Sequence, residues 1–437
     1  MANHSSFDSE RSEVTRARVG AASSADPSGV RPGVRRARSV VLLVAALCLI
    51  SLNMRATITG VGPLLDQIGD DTGLDAAALG LLAALPILTW ACVSPFAQTL
   101  SARFGLSRVV LAALVVLTLG TIWRSLPGSE SSLWAGTAVI GVALAVANVL
   151  MPAVVKRDFP ARIPVMMAVY TAVLSGFGAL ASGVVVPLSN IRTADGELGW
   201  RWALALTGIL LPVAIAVWSW EMRGNAATSP RRRLDHRPGI WLDGRAWLVA
   251  GYMGTQSAAF YILVTWLAPI SVSVGRSEVI AGLDVMAYQV AGIAGSFLVP
   301  LTRRGRLRPL VPALVPAVGL VSCAGILLRP DLILVWALLS GLAAGAALGM
   351  ALTIMAESAA DHPAAAALSG MAQSVGYGIA ALGPVLFGWL HQLSGGWAAP
   401  IALLAGFLVA QLVVGALLRI DRQVLEDRPS SRRAAGR

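Results

Sequence analysis

Lysine is almost missing from this 437-residue chain: of its 34 basic side chains only Lys156 is a lysine, and the rest are arginines. Histidine and cysteine are scarce as well. His4, His236, His362 and His391 are scattered over tails and loops with no HExxH pattern, and Cys48, Cys92 and Cys323 sit singly in apolar runs without CxxC spacing. A metal centre or a disulfide framework therefore has nothing to be built from. No Walker-type phosphate loop is present, which excludes ATP-driven work by this chain, and the apolar runs hold no visible nucleophile and base. The expectation is a protein without cofactors that is not an enzyme.

What the chain has in abundance is apolar surface. Hydrophobic residues make up 56% of it, charged residues only 13%, and the mean hydropathy is +0.72. That balance is too apolar for a soluble domain and predicts an all-α protein that crosses a bilayer many times. The net charge of +11 could point to nucleic acid. Here, however, the arginines lie between apolar runs, where the positive-inside rule accounts for them, so no nucleic-acid partner is expected.

Twelve apolar segments approach the roughly 20 residues needed to span a bilayer. They run over 40–65, 76–100, 108–125, 132–155, 163–190, 201–222, 245–271, 277–301, 309–328, 331–356, 364–391 and 397–419. Residues 1–38 and 421–437 read as tails, the first rich in Ser, Gly, Pro and Arg and predicted to be disordered. The arginine-rich connection 223–244 divides the spans into halves, 39–222 and 245–420. Landmarks recur about two hundred residues apart, Pro63 with Pro269 and Pro95 with Pro300. Two six-helix halves in parallel repeat are the architecture of major facilitator transporters.

Alternate connections differ in charge. Arg103 and Arg108, Lys156, Arg157 and Arg162, Arg231 to Arg233 with Arg237, and Arg303, Arg304, Arg306 and Arg308 lie on one side. The other side carries Arg124, Arg192, Arg201, Arg276 and Arg329 beside Asp66, Asp70, Asp71, Asp75, Asp195 and Glu197. Both termini are thus predicted to be cytoplasmic. Trp123, Trp134, Trp200, Trp202, Trp266 and Trp397 fall near the outer ends, as an interfacial aromatic belt would.

Within this frame one stretch stands out, Ser51 to Leu65, which places Asn53, Arg55, Thr57 and Thr59 inside the first span. An arginine at the centre of a span costs about 2.5 to 3.5 kcal/mol to insert, so it calls for a partner or a purpose. Arg55, Thr59, Gly62 and Asp66 share one helical face, and Asn53, Thr57, Gly60 and Leu64 nearly the opposite one. The span is therefore central, with Pro63 predicted to open a turn near Thr59. Further polar stripes, Tyr252 with Gln256 and Ser369 with Gln373 and Tyr377, suit a small planar or linear solute, although hydrogen bonding between helices would explain each of them too. Proton coupling would need a titrating group in the path, and Asp284, then Glu357, are the candidates, with a structural ion pair as the other reading of Asp284.

Asn53-Met-Arg-Ala-Thr with Val61-Gly-Pro-Leu-Leu, Asn148 to Pro160, Gly254-Thr-Gln-Ser with Phe260 to Pro269, and Ala367 to Tyr377 together resemble the cyanate permease and 2-nitroimidazole transporter family of the major facilitator superfamily. The resemblance implies a multi-pass carrier of the cytoplasmic membrane that works by alternating access on a small anionic or polar planar solute, with protons as the candidate coupling ion. Arg55, Asn53, Thr59, Tyr252, Gln256, Gln373 and Tyr377 are the expected solute-binding residues, the lipid bilayer the other partner, and a monomer the working unit. The rival readings are a proton-driven drug or metabolite efflux pump and a membrane-embedded sensor. The loop after the second span keeps Arg103, Gly105 and Arg108 but carries Ala102 where such loops are usually acidic, so the acidic half of a gating ion pair is missing there.

Overall fold

The computed structural model describes residues 32–127, 130–193, 196–224, 238–302, 310–358 and 362–418. The readings made for 1–31 and 421–437, for Arg231 to Arg233 and Arg237, for Arg303 to Arg308, and for Asp195, His4 and His236 lie outside these residues. Residues up to Ala45 form one compact unit, of which the described part is the start of the first helix; 46–437 form the other. The helices are α1 (Pro32–Thr59), α2 (Leu65–Thr72), α3 (Ala76–Phe104), α4 (Leu106–Ser125), α5 (Glu130–Asp158), α6 (Ile163–Ser189), α7 (Gly199–Leu206), α8 (Leu211–Gly224), α9 (Gly244–Ser273), α10 (Glu278–Thr302), α11 (Val311–Leu328), α12 (Ile333–Ser358), α13 (His362–Ser394) and α14 (Ala398–Leu417). Among the described residues they make twelve stretches long and apolar enough to cross a membrane, α1 with α2 and α7 with α8 each forming one interrupted crossing. A two-residue hairpin, Arg192–Thr193 against Gly196–Glu197, joins α6 to α7.

Proline chemistry explains the break in the first crossing. α1 stops at Thr59, a 3₁₀ turn covers Gly62–Leu64, and α2 starts at Leu65. The Val61 N–H reaches back three residues to Ile58 O at 3.1 Å, and Pro63 has no N–H to offer Thr59 O. Two buried carbonyls are thereby left over, a deficit costly in a dry interior. Both are satisfied from other helices. Arg124 Nη1 on α4 donates to Thr57 O at 2.8 Å, and Ser182 Oγ on α6 donates to Thr59 O at 3.0 Å.

Arg124 thus corrects its assignment to an outer loop. At 1% exposure it is among the most buried side chains, at the last turn of α4, with α5 lying against its backbone at Gly136. The long stem lets the guanidinium reach inward from a helix end.

The end of the bundle bearing Asp66, Asp71 and Asp75 is closed. Val61, Leu64, Leu65, Ile68, Leu79, Ile262, Trp266 and Phe387 belong to one apolar cluster there. Gln67 donates to Glu278 at 2.7 Å and Gln392 to Asp75 at 3.0 Å, tying distant stretches of chain across the same end. Two tryptophans expected in an interfacial belt are inside this seal instead. Trp266 is 3% exposed, its indole N–H donating to Pro384 O, and Trp200 is 5% exposed and donates to Asp71. An indole N–H that finds an acceptor within the protein, as Trp266 and Trp200 both do, has no need of the interface. Trp123 and Trp202 do stand exposed.

Helix pairing then fixes what surrounds the centre. α3 packs on α13, α6 on α10, α9 on α13 and α10 on α12, and the turn at Gly62–Leu64 rests on α9.

Candidate solute chamber

A cavity of about 490 Å³ lies between α1, α6, α9, α10, α12 and α13. Its walls include Arg55, Thr171, Ser175, Gln256, Phe260, Tyr261, Tyr288, Gln289, Leu348, Leu352 and Tyr377. Met167 and Thr171 belong to the first turns of α6, Ser296 and Phe297 to the last turns of α10, and Leu352 to the end of α12. The cavity therefore extends toward the end that carries Arg103, Arg108 and Lys156, away from the apolar seal.

Among the described residues Arg55 is the only lysine, arginine or acidic residue in the cavity's walls. Its guanidinium carbon stands 4.9 Å from the centre of the Phe260 ring and 6.0 Å from that of Tyr261. Its Nε is buried with no hydrogen-bond partner among the described residues. Four of the chain's five tyrosines, Tyr170, Tyr261, Tyr288 and Tyr377, lie within its electrostatic reach. Ring faces are negative, so this shell attracts the cation without neutralising it. Trp90 completes it, edge-on to Tyr377 at 5.2 Å and to Tyr261 at 6.2 Å between ring centres.

The position of Arg55 is set from α6. A side-chain carbon at Gly178 would come within 2.6 Å of Arg55 Cγ, so glycine there leaves the room the arginine stem occupies. Around that contact Thr59 Oγ1 donates to Gly178 O at 2.8 Å and Gln289 Nε2 donates to Ser182 Oγ at 2.7 Å. α1, α6 and α10 are thus held together at the level of the charge.

Of the residues expected to bind solute, the cavity brings together Arg55, Gln256 and Tyr377. Gln256 donates to Ser257 Oγ at 2.6 Å. The others are not among its walls. Asn53 is fully buried and its amide donates to Leu49 O of its own helix at 2.7 Å. Thr59 is bonded to α6 as above. Tyr252 donates to Pro312 O on α11 at 3.0 Å, and Gln373 donates to Ser369 on its own helix at 2.9 Å. Asp284, 1% exposed, accepts from Ser271 Oγ and pairs with Arg276 beyond the cavity's closed end. Glu357 is exposed in the last turn of α12. The stripes do not reveal Phe260 as a partner of the cation, Trp90 as the ring behind Tyr261 and Tyr377, or Gln289 as a brace. Phe260 stands directly before Tyr261 in a motif already singled out, which was the available signal.

Twelve membrane crossings around a chamber of this size, with aromatic and amide walls and one fixed cation, define a multi-pass carrier of small solutes. The sequence relationship agrees. Residues 41–381 match the Major Facilitator Superfamily, and the chain belongs to that family. It is 36% identical over 392 residues to the 2-nitroimidazole transporter of Escherichia coli (strain K12), covering 88% of this chain and 97% of that protein. It is 28% identical over 377 residues to the cyanate transport protein CynX of the same organism, covering 85% and 96%. Among solved structures it resembles a bacterial homologue of the human lysosomal transporter Spinster in an inward-facing, unoccupied conformation. The TM-score is 0.69 at 16% identity, over 90% of this chain and 95% of that one, a likeness of fold. The chain is a secondary transporter of small-molecule substrates in a lipid bilayer.

Proposed function

We propose that this carrier moves a small anionic or electron-rich planar solute, cyanate-like or nitroimidazole-like, across the cell membrane by alternating access, leaving the solute chemically unchanged. The observation that carries this reading is the Arg55 guanidinium, which faces a chamber of about 490 Å³ with aromatic rings for company and no hydrogen-bond partner at Nε among the described residues. A solute oxygen or nitrogen bearing negative charge supplies what the rings lack, a charge-assisted hydrogen bond. The aromatic walls offer a planar molecule surfaces to stack on, with Gln256 and Tyr377 as the polar groups that orient it. In this reading Thr59 and Tyr252 act through the helices they tie together, and Asn53 and Gln373 through bonds within their own helices.

Arginine placement assigns both termini to the cytoplasm, so the chamber extends inward and the apolar seal faces outward. The halves 39–222 and 245–420 rock about the chamber with a single chain as the working unit. Opening the seal parts Gln67 from Glu278 and Gln392 from Asp75. Neither Asp284 nor Glu357 lines the chamber, so this reading gives neither of them a direct contact with the solute.

The test is uptake of labelled cyanate and of a labelled 2-nitroimidazole into proteoliposomes, by wild type and Arg55→Gln. Flux of one solute lost in the variant supports the reading. Flux that survives Arg55→Gln at the wild-type rate overturns Arg55 as ligand. Failure of the folded wild type to move either solute overturns the substrate class.

A further inference from the structure

We propose that this protein works as an exchanger, trading one solute anion for another far faster than it carries either alone. The proposal rests on the reading of Arg55 as solute ligand and concerns the half of the cycle in which the chamber is empty. Among the described residues no aspartate or glutamate lines the chamber, so its walls offer Arg55 no counter-charge. To return empty, the carrier must occlude a bare guanidinium held only by Phe260 and Tyr261. Occlusion expels water from the cation, and ring faces replace only part of that hydration. With an anion bound the same movement occludes a neutral pair. The loaded carrier therefore crosses more readily than the empty one, and the slow empty return throttles net transport while leaving exchange untouched.

The charge count fixes the electrical signature. One-for-one exchange of monovalent anions moves no net charge, whereas net uptake sends the empty, positively charged carrier back across the membrane and so responds to the membrane potential. No proton takes part in either movement.

Gln289 offers a way to supply the missing negative charge. Its Oε1 and Arg55 Cγ both lie against Gly178, 3.3 and 2.6 Å from the point a β-carbon would occupy. Gln289→Glu keeps the shape and brings a carboxylate to the level of the Arg55 side chain, at the loss of one donor to Ser182. The variant then carries its own counter-ion when empty.

The experiment uses the full chain in proteoliposomes and whichever of labelled cyanate or 2-nitroimidazole binds the purified protein. Initial uptake is compared between vesicles loaded with the unlabelled solute and vesicles without it, at several imposed potentials, with and without a proton gradient. Exchange at least tenfold faster than net uptake and insensitive to potential, with that ratio collapsing in Gln289→Glu, supports the proposal. Net uptake as fast as exchange overturns it, as does a proton gradient that raises net uptake to the exchange rate. If the ratio is high but unchanged in Gln289→Glu, although that variant is folded and binds solute, the charge argument fails. Absence of binding by either solute overturns the underlying reading and this proposal together.

Discussion

Two arginines near the same broken helix, Arg124 fully buried and Arg55 half-buried, meet different environments, and the contrast separates a charge kept for structure from one kept for cargo. Arg124 donates to Thr57 O and its backbone is wedged against Gly136, where a side-chain carbon would lie 2.3 Å from Arg124 N. Arg55, two residues before Thr57, has its stem against Gly178 and its head over Phe260 in a chamber. One fills a carbonyl deficit that the helix break creates. The other fills no deficit, so it is available to a ligand.

The glycine beside each arginine breaks the symmetry most forcefully. Gly136→Ala meets backbone, which cannot swing away, so α4 and α5 must part. We expect a loss of about 3 kcal/mol, at the upper end of overpacking costs, read as a large drop in melting temperature in detergent. The matching change, Gly178→Ala, meets side-chain atoms of Arg55 rather than backbone and should lower the melting temperature less than Gly136→Ala does. Equal destabilisation by the two would erase the distinction between the sites.

Next in size is the loss of the guanidinium at α4. Arg124→Gln leaves Thr57 O without its donor, an orphaned buried carbonyl worth about 1–3 kcal/mol, and Arg124→Lys should recover part of it. Arg55→Gln removes no internal hydrogen bond to a carbonyl, so its melting temperature should match or exceed wild type while transport falls. Thermal unfolding of the three variants beside their uptake rates decides this. A destabilised Arg55→Gln would make that arginine structural as well.

The unequal legibility of the two arginines has a physical cause. Arg55 sits in the middle of an apolar run, where composition alone exposes it, and Pro63 announces the break because a missing N–H is a local property. Arg124 stands at the end of a run, where a charge ordinarily means a loop, and only the fold shows its stem turned inward. The twelve crossings are legible because length and hydropathy decide them. Facing is harder. Gln256 and Tyr377 turn to the chamber, but Tyr252 and Gln373, on the same predicted stripes, bond to α11 and to their own helix. A polar side chain within a span can satisfy itself locally or on a neighbour, and periodicity does not say which neighbour is present. Phe260 escapes notice for a different reason, since in an apolar run an aromatic ring near a cation looks like any other packed residue.

The smallest effect probes the rings that hold the unused charge. Phe260→Leu keeps an apolar wall but removes the nearer cation–π partner, worth about 1 kcal/mol where it is partly desolvated. The empty chamber feels this most, because a bound anion takes over as the principal partner of the guanidinium. Solute affinity should therefore rise slightly, while net uptake, limited by the empty return, should slow about fivefold. Exchange should stay near wild type. Measuring all three on one variant distinguishes a ring that cradles the solute from one that only shields the cation, since loss of the first would weaken binding and slow both modes alike.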